Sequence, residues 1–217
     1  MSPENQFWWN WSVNVAVAIA TLGAVLVALF GDWIKAHLFS PKLNVSLRNT
    51  FGDKTKTRLE WFDENGLRQS RMADSRYYHL AVSNGVRWPA ATQTQVYLQR
   101  VEEPGPDGEL QTTWAGEIPM EWMHQSIYPA ARTVGPVAYC DLCSVLEDKW
   151  LQLHTIIAPN NLEVLRKTKT TLVVSLQAKS SEAESPIARF KISWDGKWEA
   201  GDTEMKRHLV VTDVTGK

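Results

Sequence analysis

The stretch Val13–Gly31, VNVAVAIATLGAVLVALFG, contains only two polar side chains, Asn14 and Thr21. At the α-helical rise its length is about 28 Å, close to the roughly 30 Å hydrocarbon core of a bilayer. Phe7, Trp8, Trp9 and Trp11 precede it, and Phe30, Trp33 and Phe39 follow it. Aromatic girdles of this kind sit at membrane–water interfaces, so the stretch reads as one transmembrane helix. The leading MSPENQ lacks Lys and Arg and carries Glu4, and no small-x-small cleavage site closes the apolar run. A retained anchor is therefore expected rather than a cleaved signal peptide.

Basic residues lie on one side of the span. None precedes it, whereas Lys35, Lys42 and Arg48 follow, then Lys54, Lys56 and Arg58. The positive-inside rule predicts a bacterial inner-membrane protein with its N-terminus outside and its C-terminal part in the cytoplasm. The expected organisation is a short periplasmic Trp-rich tail over 1–12, a transmembrane helix with an interfacial extension over 13–39, and a cytosolic domain over 40–217. Trp8, Trp9, Trp11, Trp33, Lys35 and Lys42 are the expected membrane-interface residues, in contact with lipid.

Within the span, Ala16, Ala20, Ala24 and Ala28 recur every fourth place. Small residues let helix backbones approach closely, which drives association where the hydrophobic effect is absent. These four are the candidate oligomerisation residues, and a homo-oligomer is expected. A more polar seam holds Asn14, Thr21 and Asp32, candidates for interhelical hydrogen bonds or a narrow wet path.

Beyond Ser40-Pro41 the period changes from helical to two. Leu43, Val45 and Leu47 alternate with polar residues, as do Tyr78, Leu80 and Val82, then Val96 and Leu98. Leu151 to Ile157, Leu172 to Ala178 and Ala188 to Trp194 repeat the pattern. Residues 50–76, with Asn65-Gly66, form either a hairpin or a partly ordered, charged loop. Residues 118–130 read as irregular, and Asp202–Leu209 opens with a helix-cap signal. Eight or so short strands separated by turns predict an all-β fold, an immunoglobulin-like antiparallel β-sandwich preceded by one N-terminal transmembrane α-helix.

Chemistry is sparse. Cys140 and Cys143 form a single CxxC, and no second CxxC or close His pair completes a zinc set. Two buried thiols at a strand end are expected, with no metal and no cofactor. Phosphate-binding loops, HExxH and GxSxG are absent, so no catalytic residue is nominated and the chain reads as a non-enzyme. A net charge of −1, with no basic residues interleaved with aromatics, argues against direct nucleic-acid binding.

Four pieces carry a resemblance: Ala28-Leu29-Phe30-Gly31-Asp32-Trp33, Tyr78 to Asn84, Tyr139-Cys140-Asp141-Leu142-Cys143, and Ile192 to Trp198. The chain resembles a group of uncharacterised bacterial single-span membrane proteins with a cytosolic immunoglobulin-like β-sandwich. The resemblance implies a fold and a bacterial membrane, and no activity. Two functions are expected from this reading. One is a recognition or adaptor module that self-associates through its span and binds a cytosolic protein partner or small ligand through 50–76, 84–92 or a sheet edge. The alternative is a membrane-perturbing effector of a bacterial anti-phage system, by likeness of architecture.

Overall fold

A computed structural model describes residues 3–38, 40–85, 89–124, 131–148 and 150–216; the side chains of 3–6 and 32–38 lie outside the description. The chain divides into two compact units, Met1–Ser40 and Pro41–Lys217. The first is one continuous helix, α1 (Pro3–Leu38). It takes in the tail expected to precede the span, so the Trp-rich residues lie on helical turns. Residues 7–30 are exposed throughout, and Phe7–Gly31 is long and apolar enough to cross a membrane. Two side chains satisfy themselves on the helix: Ser12 Oγ donates to the Trp9 carbonyl at 2.8 Å and Thr21 Oγ1 to the Val17 carbonyl at 2.8 Å.

The second unit is two six-stranded antiparallel sheets. One holds β1 (Leu43–Leu47), β3 (Arg68–Asn84), β7 (Val137–Leu146), β8 (Trp150–Leu153) and β9 (Leu165–Arg166) in that order. β2 (Asp53–Phe62) joins this sheet by pairing with the distal half of β3. The other sheet runs β12 (Leu209–Asp213), β11 (Ala188–Trp194), β10 (Thr170–Lys179), β4 (Ala91–Pro104) and β5 (Leu110–Pro119). β6 (Arg132–Val134) pairs with β4.

Alternation decides which faces meet. Tyr78, Leu80 and Val82 of β3 share one buried cluster with Leu172, Val174 and Leu176 of β10 and Phe190, Ile192 and Trp194 of β11. Burying each such side chain stabilises the fold by about 1.5–3 kcal/mol. Every residue of these runs points inward because strand side chains alternate with a period of two.

Residues 50–76 are a hairpin, with Gly66 at φ +74° in its turn. The strands outnumber the eight expected, and β3 and β4 are far longer than the pattern indicated. Part of the segment expected to be irregular joins a sheet: Met120 bridges Thr155 and Trp122 bridges Cys140, both buried. Residues 125–130 lie outside the described residues. The cap before α2 (Asp202–Met205) is Gly201 with no side-chain bond, and Leu209 begins β12 rather than continuing a helix. Asp202 instead forms an ion pair with buried Arg76 at 2.8 Å.

Truncating a core aromatic and a hairpin-tip aromatic should separate these roles. Phe190→Ala, at a fully buried site, is expected to lower unfolding stability by about 3–5 kcal/mol. Phe62→Ala, 73% exposed at the tip, should change it by less than about 0.5 kcal/mol, both measured by chemical denaturation of the detergent-solubilised chain.

Candidate functional site

β7 carries one extra residue against β3. Tyr78 pairs with Cys143 and His79 with Asp141, so the register shifts across Leu142. A bulge of this kind resets the alternation. Cys140 and Cys143, three apart, therefore both enter the core, while Asp141 and Ser144 both reach the opposite face of the sheet. There they join Tyr77 and His79 of β3.

A cavity of about 520 Å³ opens on that face. Its wall comes from the turn after β1 (Arg48), from β2 (Asp53, Thr55, Lys56, Thr57), from β3 (Tyr77, His79), from Met123 and His124 beyond β5, and from Asp141. Asp141 Oδ1 lies 2.7 Å from His79 Nδ1, which orients the ring and turns Nε2 toward Asp53 Oδ2 at 3.3 Å. Arg48 Nη1 donates to the same Oδ2 at 2.7 Å, and the Arg48 guanidinium lies over the Tyr139 ring, 4.5 Å from its centre.

Aromatic stacking extends the site sideways. Tyr77 stacks on His79 at 6.2 Å and on His154 at 5.0 Å between ring centres. Thr57 Oγ1 lies 2.7 Å from Ser75 Oγ and 3.3 Å from Tyr77 Oη. His124 holds a backbone φ of +58°, a left-handed conformation costly for an L side chain. Strain of this sort concentrates at binding and switch sites.

A second chain of contacts has the connectivity of a serine–histidine–acid triad. Ser144 Oγ lies 2.8 Å from His154 Nε2, and His154 Nδ1 lies 3.3 Å from Glu121 Oε2. Ser144 is fully buried and is not among the residues that line the cavity described above. The geometry makes it a satisfied buried hydroxyl.

The turn that presents Arg48 is fixed locally. Asn49 Oδ1 accepts the backbone N–H groups of Phe51 at 3.1 Å and Gly52 at 2.7 Å. Gly52, at φ +68°, passes so close to Arg76 that a Cβ would stand 2.8 Å from Arg76 Cγ. Arg76 Nη1 donates to the Phe51 carbonyl beneath it at 3.0 Å.

Of the residues nominated from sequence, Trp8, Trp9, Trp11, Asn14, Ala16, Ala20, Thr21, Ala24 and Ala28 are exposed on α1. The side chains of Asp32, Trp33 and Lys35 lie outside the described residues. Lys42 is exposed, and its backbone N–H donates to Asn84 Oδ1 at 2.9 Å. Segment 50–76 supplies four wall residues; residues 86–88 of the second nominated loop lie outside the description. None of Arg48, His79, His124 or Asp141 was singled out, because they come from four separate segments with no shared spacing.

The thiols lie mid-strand in β7, not at a strand end, and both are free. Among the described residues no group of three or more His, Cys, Asp or Glu is placed to hold a metal ion. A scan against protein-family models finds no match to the chain, and a search of curated proteins finds none.

Burial pushes both thiols well above the usual range, and the charges of Asp141 and Glu121 push Cys140 further. The folded thiols thus hold their protons where unfolded thiols, near pKa 8.5, release theirs. Their stabilising contribution is complete below about pH 8.5 and is lost as pH rises through the folded-state values. Stability should fall above that pH by up to about 1.4 kcal/mol per pH unit per thiol. Urea midpoints across pH 8–10 should fall less steeply in Cys140→Ala/Cys143→Ala than in the native chain.

Proposed function

We propose that the protein is a recognition module held at the bacterial inner membrane by α1, which binds a small ligand in the cavity lined by Arg48 and His79 without transforming it. The observation that carries this reading is the convergence of oriented polar groups, with His79 and Asp141 buried among them, on one open cavity. Its volume lies within the range of small-molecule sites, about 300–1,000 Å³, and oriented polar groups on a rigid scaffold are what such sites use for specificity. The strained backbone at His124 adds to it.

The order β11-β10-β4-β5 supports an immunoglobulin-like reading of the head, since it follows the G-F-C-C′ order of variable-type domains. In the other sheet the earlier strand β7, rather than the later β8, lies beside β3. Basic residues downstream of the span and none before it support a cytoplasmic head and an outside N-terminus. The exposed Ala16, Ala20, Ala24 and Ala28 ridge supports self-association through the span. A cytosolic protein partner could dock through the same head once ligand is bound.

Ligand capture is read on the full chain in nanodiscs, by thermal-shift screening of neutral, cationic and anionic metabolites followed by titration calorimetry. Arg48→Ala and His79→Ala should each weaken a hit at least about 10-fold, as loss of a charged hydrogen-bond partner does. Screening that yields no hit, or hits indifferent to both changes, would overturn the reading.

Span association has its own readout. Ala20→Leu/Ala24→Leu should reduce membrane cross-linking between copies and leave ligand affinity unchanged. Depolarisation on overexpression, abolished by the same pair, would favour the membrane-perturbing effector instead.

A further inference from the structure

We propose that the Asp53 carboxylate occupies a cradle built for the carboxylate of a small ligand, so that Asp53 is an internal occupant which the ligand displaces. The proposal rests on reading the cavity as a ligand site and names the chemistry of what enters it.

Three side chains, two from the turn after β1 and one from β3, meet this one carboxylate. Arg48 Nη1 stands 2.7 Å and His79 Nε2 3.3 Å from Oδ2, while Asn49 Nδ2 donates to Oδ1 at 3.2 Å. Both oxygens are met, as a carboxylate requires.

Each of the three is held by something other than Asp53. Asn49 is pinned through its own Oδ1 by Phe51 and Gly52. Arg48 lies over Tyr139, and its backbone N–H donates to the His79 carbonyl at 2.9 Å. His79 is buried, stacked on Tyr77 and oriented by Asp141. The cradle therefore keeps its shape when the Asp53 side chain leaves.

Asp53 itself is loosely kept. Its side chain is 41% exposed and can turn to water, and a partly exposed ion pair is weak and exchangeable. Its departure takes the counter-charge from Arg48, while Asp141 is engaged by His79 and Lys56 on the wall is paired with Asp74 at 3.6 Å, so the Arg48 guanidinium is the group left to attract an anion. Space for the remainder of the ligand lies alongside, between Thr55, Thr57, Met123 and His124. An acid with a short polar body, carrying its carboxylate where Asp53 now sits, fits these walls.

The experiment titrates succinate, inorganic phosphate and choline into the full-length protein in nanodiscs, comparing native chain, Asp53→Ala and Asp53→Asn by calorimetry. Removing the internal competitor should tighten succinate binding at least about 10-fold in Asp53→Ala, and adding Arg48→Ala should abolish that gain. Asp53→Asn, which keeps the shape and removes the charge, should show a smaller gain and serves as the second variant if Asp53→Ala fails to fold. Equal succinate affinity in native and variant chains overturns the proposal. So does a gain that survives Arg48→Ala, or a gain for phosphate without one for succinate. If neutral or cationic metabolites bind in an Arg48- and His79-dependent way while succinate does not, the carboxylate assignment falls and the ligand site stands. If nothing binds to any form, both fall.

Discussion

The pairing of β3 with β7 is the constraint from which the rest of the head follows. β3 is the longest strand, and it carries β1 and β2 along one edge and β7 along the other. One face of this pair delivers Tyr78, Leu80, Cys140 and Cys143 to the common core; the other delivers Tyr77, His79, Asp141 and Ser144. A strand has only two faces, so each inward residue that builds the core leaves its neighbour outward. Tyr77, His79 and Asp141 of the cavity wall are thus residues that alternate with the core.

The bulge at Leu142 makes this division serve both faces. In an unbroken strand, Cys140 and Cys143 would point to opposite sides, and so would Asp141 and Ser144. One added residue sends both thiols to the core and both oxygen-bearing side chains to the opposite face of the sheet, where they are also buried. Burial keeps the thiols protonated and inert, since the thiolate is the reactive form. Asp141, on the opposite face and buried there, can then orient His79. A structural pair of cysteines and a polar site share four consecutive positions for this reason.

The long apolar helix and the polar cavity belong to separate units of the chain. α1 exposes apolar residues along its whole central length, a surface compatible with lipid, where its backbone groups are satisfied within the helix. Among the described residues, the core cluster and the cavity wall are built from Pro41–Lys217.

Local patterns determined much of this protein. The run Val13–Gly31 fixed a long apolar helix, and the alternation in Leu43–Leu47, Thr170–Lys179 and Ala188–Trp194 fixed strands and their buried faces. These features are written in neighbouring residues, and hydrophobic periodicity reads them directly. Tertiary structure alone decided that 50–76 is a hairpin rather than a loop, that Met120 and Trp122 join a sheet, and that β7 carries a bulge. It also brought Arg48, Asn49, Asp53, His79 and Asp141 together from β1's exit, β2, β3 and β7. Contacts between distant segments depend on strand order and register, and a one-residue shift in register exchanges the two faces of a strand. No pattern confined to a single stretch of chain encodes that choice.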